Sequence, residues 1–219
     1  MDVKICGVCT PADAELVASS GADWLGVILA PGRSRSRTVA EAAAIYAAGD
    51  GVRRVGVFVN AGVEEMVEAS DALRLDCVQL HGDEAPEVGA RLARALDRSG
   101  RRVAIWKAVA VQQADDPARV AGVWQGVAHG LLLEGWSAAG HGGVGARFDW
   151  AAAAGTGAAL PSGMQLVLAG GLDPDNVGTA IRLLRPDVVD VSSGVEQALC
   201  RKSAERVRAF IAAARAAAG

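Results

Sequence analysis

Val167-Leu168-Ala169-Gly170-Gly171-Leu172 and Val188-Val189-Asp190-Val191-Ser192-Ser193-Gly194 are two short apolar runs of strand character that stop in small residues. A helical stretch is expected after each, Pro174 to Leu184 after the first and Val195 to Ala214 after the second. Small residues let backbone N–H groups approach a ligand closely, and a helix N-terminus adds the positive end of a dipole. Two such ends in successive βα units make a cradle for one phosphate, formed by Gly170, Gly171, Ser192, Ser193 and Gly194. In (β/α)8 barrels the phosphate site commonly lies in the loops after strands 7 and 8. The two runs therefore name a ligand group, a fold and a face of that fold together.

Working outward, strand and helix patterns alternate along the whole chain. Candidate strands are Val3–Cys6, Trp24–Leu29, Arg54–Val59, Cys77–Leu80, Val103–Lys107, Leu131–Glu134, Gln165–Ala169 and Asp187–Ser192. Candidate helices are Pro11–Ser20, Val39–Ala48, Val63–Leu73, Glu87–Arg98, Pro117–Gln125, Phe148–Gly155, Pro174–Leu184 and Ser203 to Ala218. Alternation of this kind argues for parallel βαβ units. Eight units without a Pro/Ser/Gly linker fit one closed α/β barrel, a (β/α)8 TIM barrel over residues 1–219, better than an open sheet.

Composition narrows the function classes. Hydrophobic residues make up 51% of the 219 and charged residues 21%, which suits a packed core and argues against disorder. A net charge of -3 gives no footprint for nucleic acid or an acidic membrane. No apolar run approaches the roughly 20 residues of a membrane span, and Met1-Asp2-Val3-Lys4-Ile5-Cys6 enters a strand pattern without a signal peptide's apolar stretch. Cys6, Cys9, Cys77 and Cys200 are too sparse for a disulfide scaffold. Cys6 and Cys9 form a C-x-x-C, but no second pair or nearby His completes a metal site. Reduced thiols in a cytoplasmic protein are the expectation.

Strand parity sorts the chemical residues by face. Val3 and Ile5 should pack on helices, which turns Lys4 and Cys6 into the barrel. Val78 and Leu80 pack outward, so Cys77, Gln79 and His81 point inward. Asp190 and Ser192 point inward opposite Val189 and Val191, and Glu134 closes an otherwise all-Leu strand. Cys6, His81, Glu134 and Ser192 then share the rim where barrel enzymes do chemistry. Cys6 reads either as a small buried hydrophobe or as a base whose thiolate a nearby dipole or cation favours. Glu134 reads as a salt-bridge partner or as a general acid or base, since a buried unpaired carboxyl is costly. His81 reads as a satisfied core histidine or a site residue. Arg35 and Arg37 follow strand 2 and read as solvated or ligand-binding. Lys4 and Lys107 are assigned no carboxylate partner at the mouth.

At these residues the chain resembles the phosphoribosylanthranilate isomerase family of tryptophan biosynthesis. The likeness runs through Lys4-Ile5-Cys6-Gly7, Gly21-Ala22-Asp23-Trp24-Leu25-Gly26, Val55-Gly56-Val57-Phe58-Val59-Asn60 and Val78-Gln79-Leu80-His81-Gly82-Asp83-Glu84. It continues in Phe148-Asp149-Trp150, Gly171-Leu172-Asp173-Pro174-Asp175-Asn176-Val177 and Asp190-Val191-Ser192-Ser193-Gly194-Val195-Glu196. The resemblance implies an Amadori rearrangement of an N-linked aldose phosphate to a 1-amino-1-deoxyketose. It implies that Cys6 is the general base for the C2 proton and that the acid at the end of strand 6 protonates the ring oxygen. It implies an arginine facing the anthranilate carboxylate; spacing from Val39 points to Arg37, with Arg35 the alternative. His81, Asp190 and the phosphate loops would line the substrate. No metal or organic cofactor is implied, and the expected partner is a small phosphorylated sugar, taken by a monomer or homodimer.

Three departures from the family pattern cluster away from the phosphate loops. The usual Asp is replaced by Glu134, whose extra methylene moves the carboxyl by about 1.5 Å. A misplacement of about 1 Å can cost about a hundredfold in rate. The usual Gly-Thr-Gly-Lys-Thr is replaced by Gly143-Val144-Gly145-Ala146-Arg147, and Gly32-Arg33-Ser34-Arg35-Ser36-Arg37 lacks the usual proline. These changes raise an alternative substrate, the N-glycoside of a substituted anthranilate in a secondary pathway. A non-catalytic phosphate-binding barrel is a further reading.

Overall fold

Eight parallel strands pair in chain order and close on themselves. They are β1 (Asp2–Ile5), β2 (Trp24–Ile28), β3 (Arg53–Phe58), β4 (Cys77–Leu80), β5 (Ala104–Val111), β6 (Gly130–Gly135), β7 (Gln165–Leu168) and β8 (Val188–Val191). The last pairs back on the first, with Lys4 opposite Asp190 and Ile5 opposite Val191. The helices are α1 (Pro11–Ser19), α2 (Val39–Ala48), α3 (Val63–Leu73), α4 (Pro86–Arg98), α5 (Asp116–Trp124), α6 (Thr156–Ala159), α7 (Val177–Leu184) and α8 (Ala204–Ala218). This computed structural model describes residues 1–98, 100–113, 116–135, 150, 153 and 155–219.

Local chemistry fixes the element starts. Thr10 accepts from Asp13 N ahead of a proline at the first position of α1. Thr38 and Glu41 form a reciprocal capping box on α2. Period-two alternation then separates two cores. Val3, Ile5, Val78, Leu80, Val189 and Val191 pack outward with helix residues such as Val17, Ile45 and Phe210. Cys6, Trp24, Val55, Cys77, Trp106, Leu132, Val167 and Val188 fill the interior. Trp24 and Trp106 lie 4.9 Å apart, centroid to centroid, level with the first residues of β2 and β6. They close the barrel below the mouth, and Gly130 makes room: a Cβ there would stand 2.6 Å from Trp106 Cδ1.

Several elements depart from expectation for identifiable reasons. β5 runs past Lys107 to Val111, because Val109 and Val111 pack outward with Leu131 and Leu133. α7 begins at Val177, not Pro174. Asp173 Oδ1 accepts from the N–H groups of Asp175 and Asn176 and holds that stretch as a turn. The stretch from Val195 is not helical until Ala204. A single 3₁₀ turn (Ser193–Val195) leads into an antiparallel hairpin of β9 (Glu196–Ala198) and β10 (Arg201–Lys202), with Cys200 left-handed at its tip. Ser203 then caps α8 by accepting from Arg206 N. The helix expected over Phe148–Gly155 falls mostly outside the described residues; α6 follows that span.

Candidate active site

The loops after β7 and β8 touch directly. Gly170 and Gly171 take φ of 84° and 64°, open to glycine and strained for other residues. Asn176 Nδ2 donates to Gly171 O at 2.9 Å and braces the first loop. A Cβ on Gly194 would lie 1.9 Å from Leu172 O, so only glycine lets the second loop cross the first. Ser192 Oγ is buried and has no hydrogen-bond partner among the described residues. It lies beside Gly7, where an added Cβ would meet it at 2.7 Å. The small residues of both loops and the turn after β1 therefore converge at one place on the rim.

Cys6 directly follows β1 and donates its N–H to Val191 O at 2.8 Å, extending the β1–β8 ladder. Its sulfur points inward over Gly26, where a Cβ would come within 2.9 Å of it and 3.1 Å of Lys4 Cε. Lys4 forms a fully buried ion pair with Asp190, Nζ to Oδ2 2.8 Å. Burial pushes the Cys6 thiol up, and Asp190 adds to this; the ammonium groups of Lys4 and Lys202 pull it back only in part. Burial works against the charge on Lys4, but Asp190 and Cys6 outweigh it and hold the ammonium protonated. Asp190 Oδ1 is buried with no hydrogen-bond partner among the described residues.

Glu134 stands at the end of β6, across the mouth from Cys6. Its Oε1 lies 3.1 Å from His81 Nε2, both side chains being mostly buried. Gln79 Nε2 lies 2.8 Å from His81 Nδ1. With the Gln79 amide donating to Nδ1, the ring proton sits on Nε2 and faces Glu134. The loop carrying His81 is itself pinned. Glu84 accepts from the backbone N–H groups of Asn60 and Gly82 and from Lys107 Nζ at 2.8 Å. Burial pushes the Glu84 carboxyl up, but Lys107 and the Asn60 and Glu84 N–H groups reverse this and leave it below its ordinary range.

Sequence reasoning left Lys4 and Lys107 without mouth carboxylates. The structure corrects this for Lys4, whereas Lys107 alternates with the inward Trp106 and Ala108, faces Trp124 of α5 and finds its carboxylate outside the barrel interior. Asp190 pairs with Lys4, and Glu84 pairs with Lys107. For Lys4 the signal was available, since Lys4 and Asp190 share inward parity on strands that must be neighbours in a closed barrel.

The two candidate arginines part company. Arg35 is buried and runs past Gly7, where an added Cβ would meet its Cδ at 2.7 Å. Its guanidinium binds Glu196 through Nε and Nη2 at 2.8 and 2.6 Å. Arg37 donates instead to Cys9 O at 2.9 Å and contacts Cys200 Sγ at 3.5 Å. It lines a separate groove of about 490 Å³ with Leu29, Phe58, Glu65 and Glu68, between α2 and α3. The structure thus brings together Cys6, Asp190, Ser192, Arg35 and the small-residue loops after β7 and β8, with His81 and Glu134 across the mouth. Residues 142–147, where the glycine-loop departures fall, and Phe148 and Asp149 lie outside the described residues.

Residues 3–213 match the model of the family described as N-(5'-phosphoribosyl)anthranilate (PRA) isomerase. The chain belongs to this family. Its relatives include the N-(5'-phosphoribosyl)anthranilate isomerases of Pseudomonas aeruginosa strain LESB58, 41% identical over 97% of this chain and 94% of that one. That of Myxococcus xanthus is 42% identical over 97% and 95%. Among solved structures, the Thermotoga maritima phosphoribosyl anthranilate isomerase superimposes with a TM-score of 0.85 at 33% identity, covering 99% of each chain. A phosphoribosyl anthranilate isomerase crystallised with reduced 1-(o-carboxyphenylamino)-1-deoxyribulose 5-phosphate gives 0.82 at 33% identity and 99% coverage of each. That ligand carries a phosphate and an aryl carboxylate. The isomerase-family barrel described above offers a small-residue cradle, two proton-transfer candidates and a buried arginine at one rim.

Proposed function

We propose that the chain catalyses the Amadori rearrangement of N-(5-phosphoribosyl)anthranilate to 1-(2-carboxyphenylamino)-1-deoxyribulose 5-phosphate in tryptophan biosynthesis. The carrying observation is the placement of Cys6 and Glu134 on either side of the β7 and β8 loops at the mouth of a PRA isomerase-family barrel. The phosphate rests on the backbone of Gly170, Gly171, Ser192, Ser193 and Gly194, which fixes one end of the sugar. Glu134 gives its proton to the ring oxygen as the C1–O bond breaks and the amine lone pair forms the C1–N double bond. The Cys6 thiolate takes the proton from C2, and the C2 electron pair forms the enolamine. Tautomerisation gives the ketose, with no net change of atoms or oxidation level. Lys4, held by Asp190, offsets the charge on Cys6, and His81 orients Glu134. Holding both groups at one fixed sugar supplies proximity as well as proton transfer.

The grip on the aryl carboxylate falls to Arg35 in this reading, because Arg37 faces the outer groove. Arg35→Met is expected to raise KM for phosphoribosylanthranilate roughly thirtyfold or more, as loss of a buried carboxylate partner does. Arg37→Met should stay within about threefold, since its part-buried contacts with Cys9 O and Cys200 Sγ brace the outer groove and not the mouth. Steady-state kinetics of the two variants decides between them, and a larger effect at Arg37 would reverse the assignment.

The site works within a single barrel domain over residues 1–219, as a monomer or homodimer in the cytoplasm. Among the described residues, no helix is long and apolar enough to cross a membrane. Expression in an isomerase-deficient tryptophan auxotroph tests the activity in the cell. Growth without tryptophan is expected, and its absence despite folded protein would contradict the proposal.

A further inference from the structure

The hairpin that interrupts the expected last helix carries a buried ion pair which the reaction described above does not use. Glu196, at the start of β9, and Lys202, at the end of β10, lie 3.2 Å apart, with side-chain exposures of 6% and 0%. Each reaches a different part of the mouth. Lys202 Nζ donates to Cys6 O at 2.8 Å and to Ser192 O at 3.0 Å. Glu196 accepts from Arg35 Nε and Nη2 in a bidentate pair. One buried chain of contacts therefore joins the backbone of Cys6, the loop after β8 and the guanidinium of Arg35.

The form of the Arg35 contact matters. Glu196 occupies the side edge of the guanidinium, Nε and Nη2. The end edge keeps the N–H groups of Nη1, for which no hydrogen bond is found among the described residues. A planar fork held on one edge presents the other in a fixed direction, which suits bidentate capture of a carboxylate. The charges also balance. Burial pushes the Glu196 carboxyl up, but Arg35 and Lys202 outweigh this and keep it ionised. With Lys202, Glu196 and Arg35 the cluster has one net positive charge, suited to an incoming anion.

We infer that Glu196 is a specificity-positioning residue, holding the free edge of Arg35 toward the aryl carboxylate, while Lys202 ties that grip to the Cys6 backbone and the phosphate loop. The inference rests on the proposed isomerase activity and on Arg35 meeting the carboxylate. It deepens that reading by assigning the hairpin a role in choosing carboxylated substrates.

The test compares phosphoribosylanthranilate with N-(5-phosphoribosyl)aniline, which lacks the carboxylate, in the full-length protein. The wild type should prefer the carboxylated substrate in kcat/KM. Glu196→Gln keeps the shape and removes the charge. It should lower that preference at least about tenfold, through KM, while kcat/KM for the aniline substrate changes less than about threefold. Lys202→Met provides a second variant should Glu196→Gln fold poorly. It should lower kcat for both substrates alike and leave the preference in place. A Glu196→Gln preference equal to wild type, or equal losses on both substrates, would overturn the inference, as would a lost preference in Lys202→Met with unchanged kcat. Failure of the underlying reading looks different. Wild-type protein that turns over neither substrate contradicts the isomerase activity, and a wild type without preference contradicts the Arg35 assignment and this inference together.

Discussion

Cys6→Ser is expected to lower kcat by about a thousandfold, within the range that a positioned acid or base contributes. The serine hydroxyl fits the space over Gly26 but does not give up its proton near neutrality. Affinity for a phosphate ligand such as ribulose 5-phosphate should stay within a few fold, because the backbone at Gly170, Gly171 and Gly194 is untouched. The wild-type pH profile provides an independent reading. Burial holds the Cys6 thiol above its ordinary pKa despite Lys4 and Lys202. The thiolate fraction, and with it kcat/KM, should therefore climb through neutrality by up to about tenfold per pH unit until Cys6 titrates. Cys6→Ser should lose that limb. If the variant keeps most of kcat, Cys6 is not the base and Cys9 becomes the candidate. Its setting makes Cys9 a poor one: burial and the neighbouring Cys200 push its thiol up to about 12.

The second large effect is expected at Glu134. Glu134→Gln should lower kcat about a hundredfold or more, because the amide cannot deliver a proton to the ring oxygen. Glu134→Asp should remain within about tenfold of wild type, since it restores the acid that the family pattern carries at this strand end and keeps an ionisable group there. Single-turnover measurements with the two variants read the chemical step directly. Equal losses would mean that Glu134 holds the substrate and does not transfer the proton. The contact with His81 bears on the extra methylene. The longer side chain ends on a ring nitrogen at 3.1 Å, so its reach is fixed by a partner and not left to solvent. Neither the fold nor the relatives favour the substituted-anthranilate reading that Glu134 first raised.

Most of the barrel was legible because the 2.0-residue period is strong in short parallel strands. Val3/Ile5 against Lys4/Cys6, and Val189/Val191 against Asp190/Ser192, sort outward and inward as parity requires. The convergence of the loops after β7 and β8 was legible for a different reason, small residues standing where two backbones must cross, as at Gly194 and Leu172 O. The hairpin of β9 and β10 was not. Its strands are too short to show a period, and its place is set by contacts of Glu196 and Lys202 with partners far away in sequence. The choice between Arg35 and Arg37 was hidden similarly, since spacing in a loop does not tell which side chain turns inward. Arg35 turns in because Glu196 is there to receive it. The start of α7 was displaced by side-chain bonds of Asp173 and Asn176 that compete locally with the helix.

The most direct test is steady-state turnover of N-(5-phosphoribosyl)anthranilate by the purified protein, coupled to the next enzyme that consumes the carboxyphenylamino ketose. The account predicts saturable turnover without added metal or cofactor, inhibited competitively by the reduced product analogue. Folded protein that binds that analogue yet shows no conversion of the substrate would contradict it.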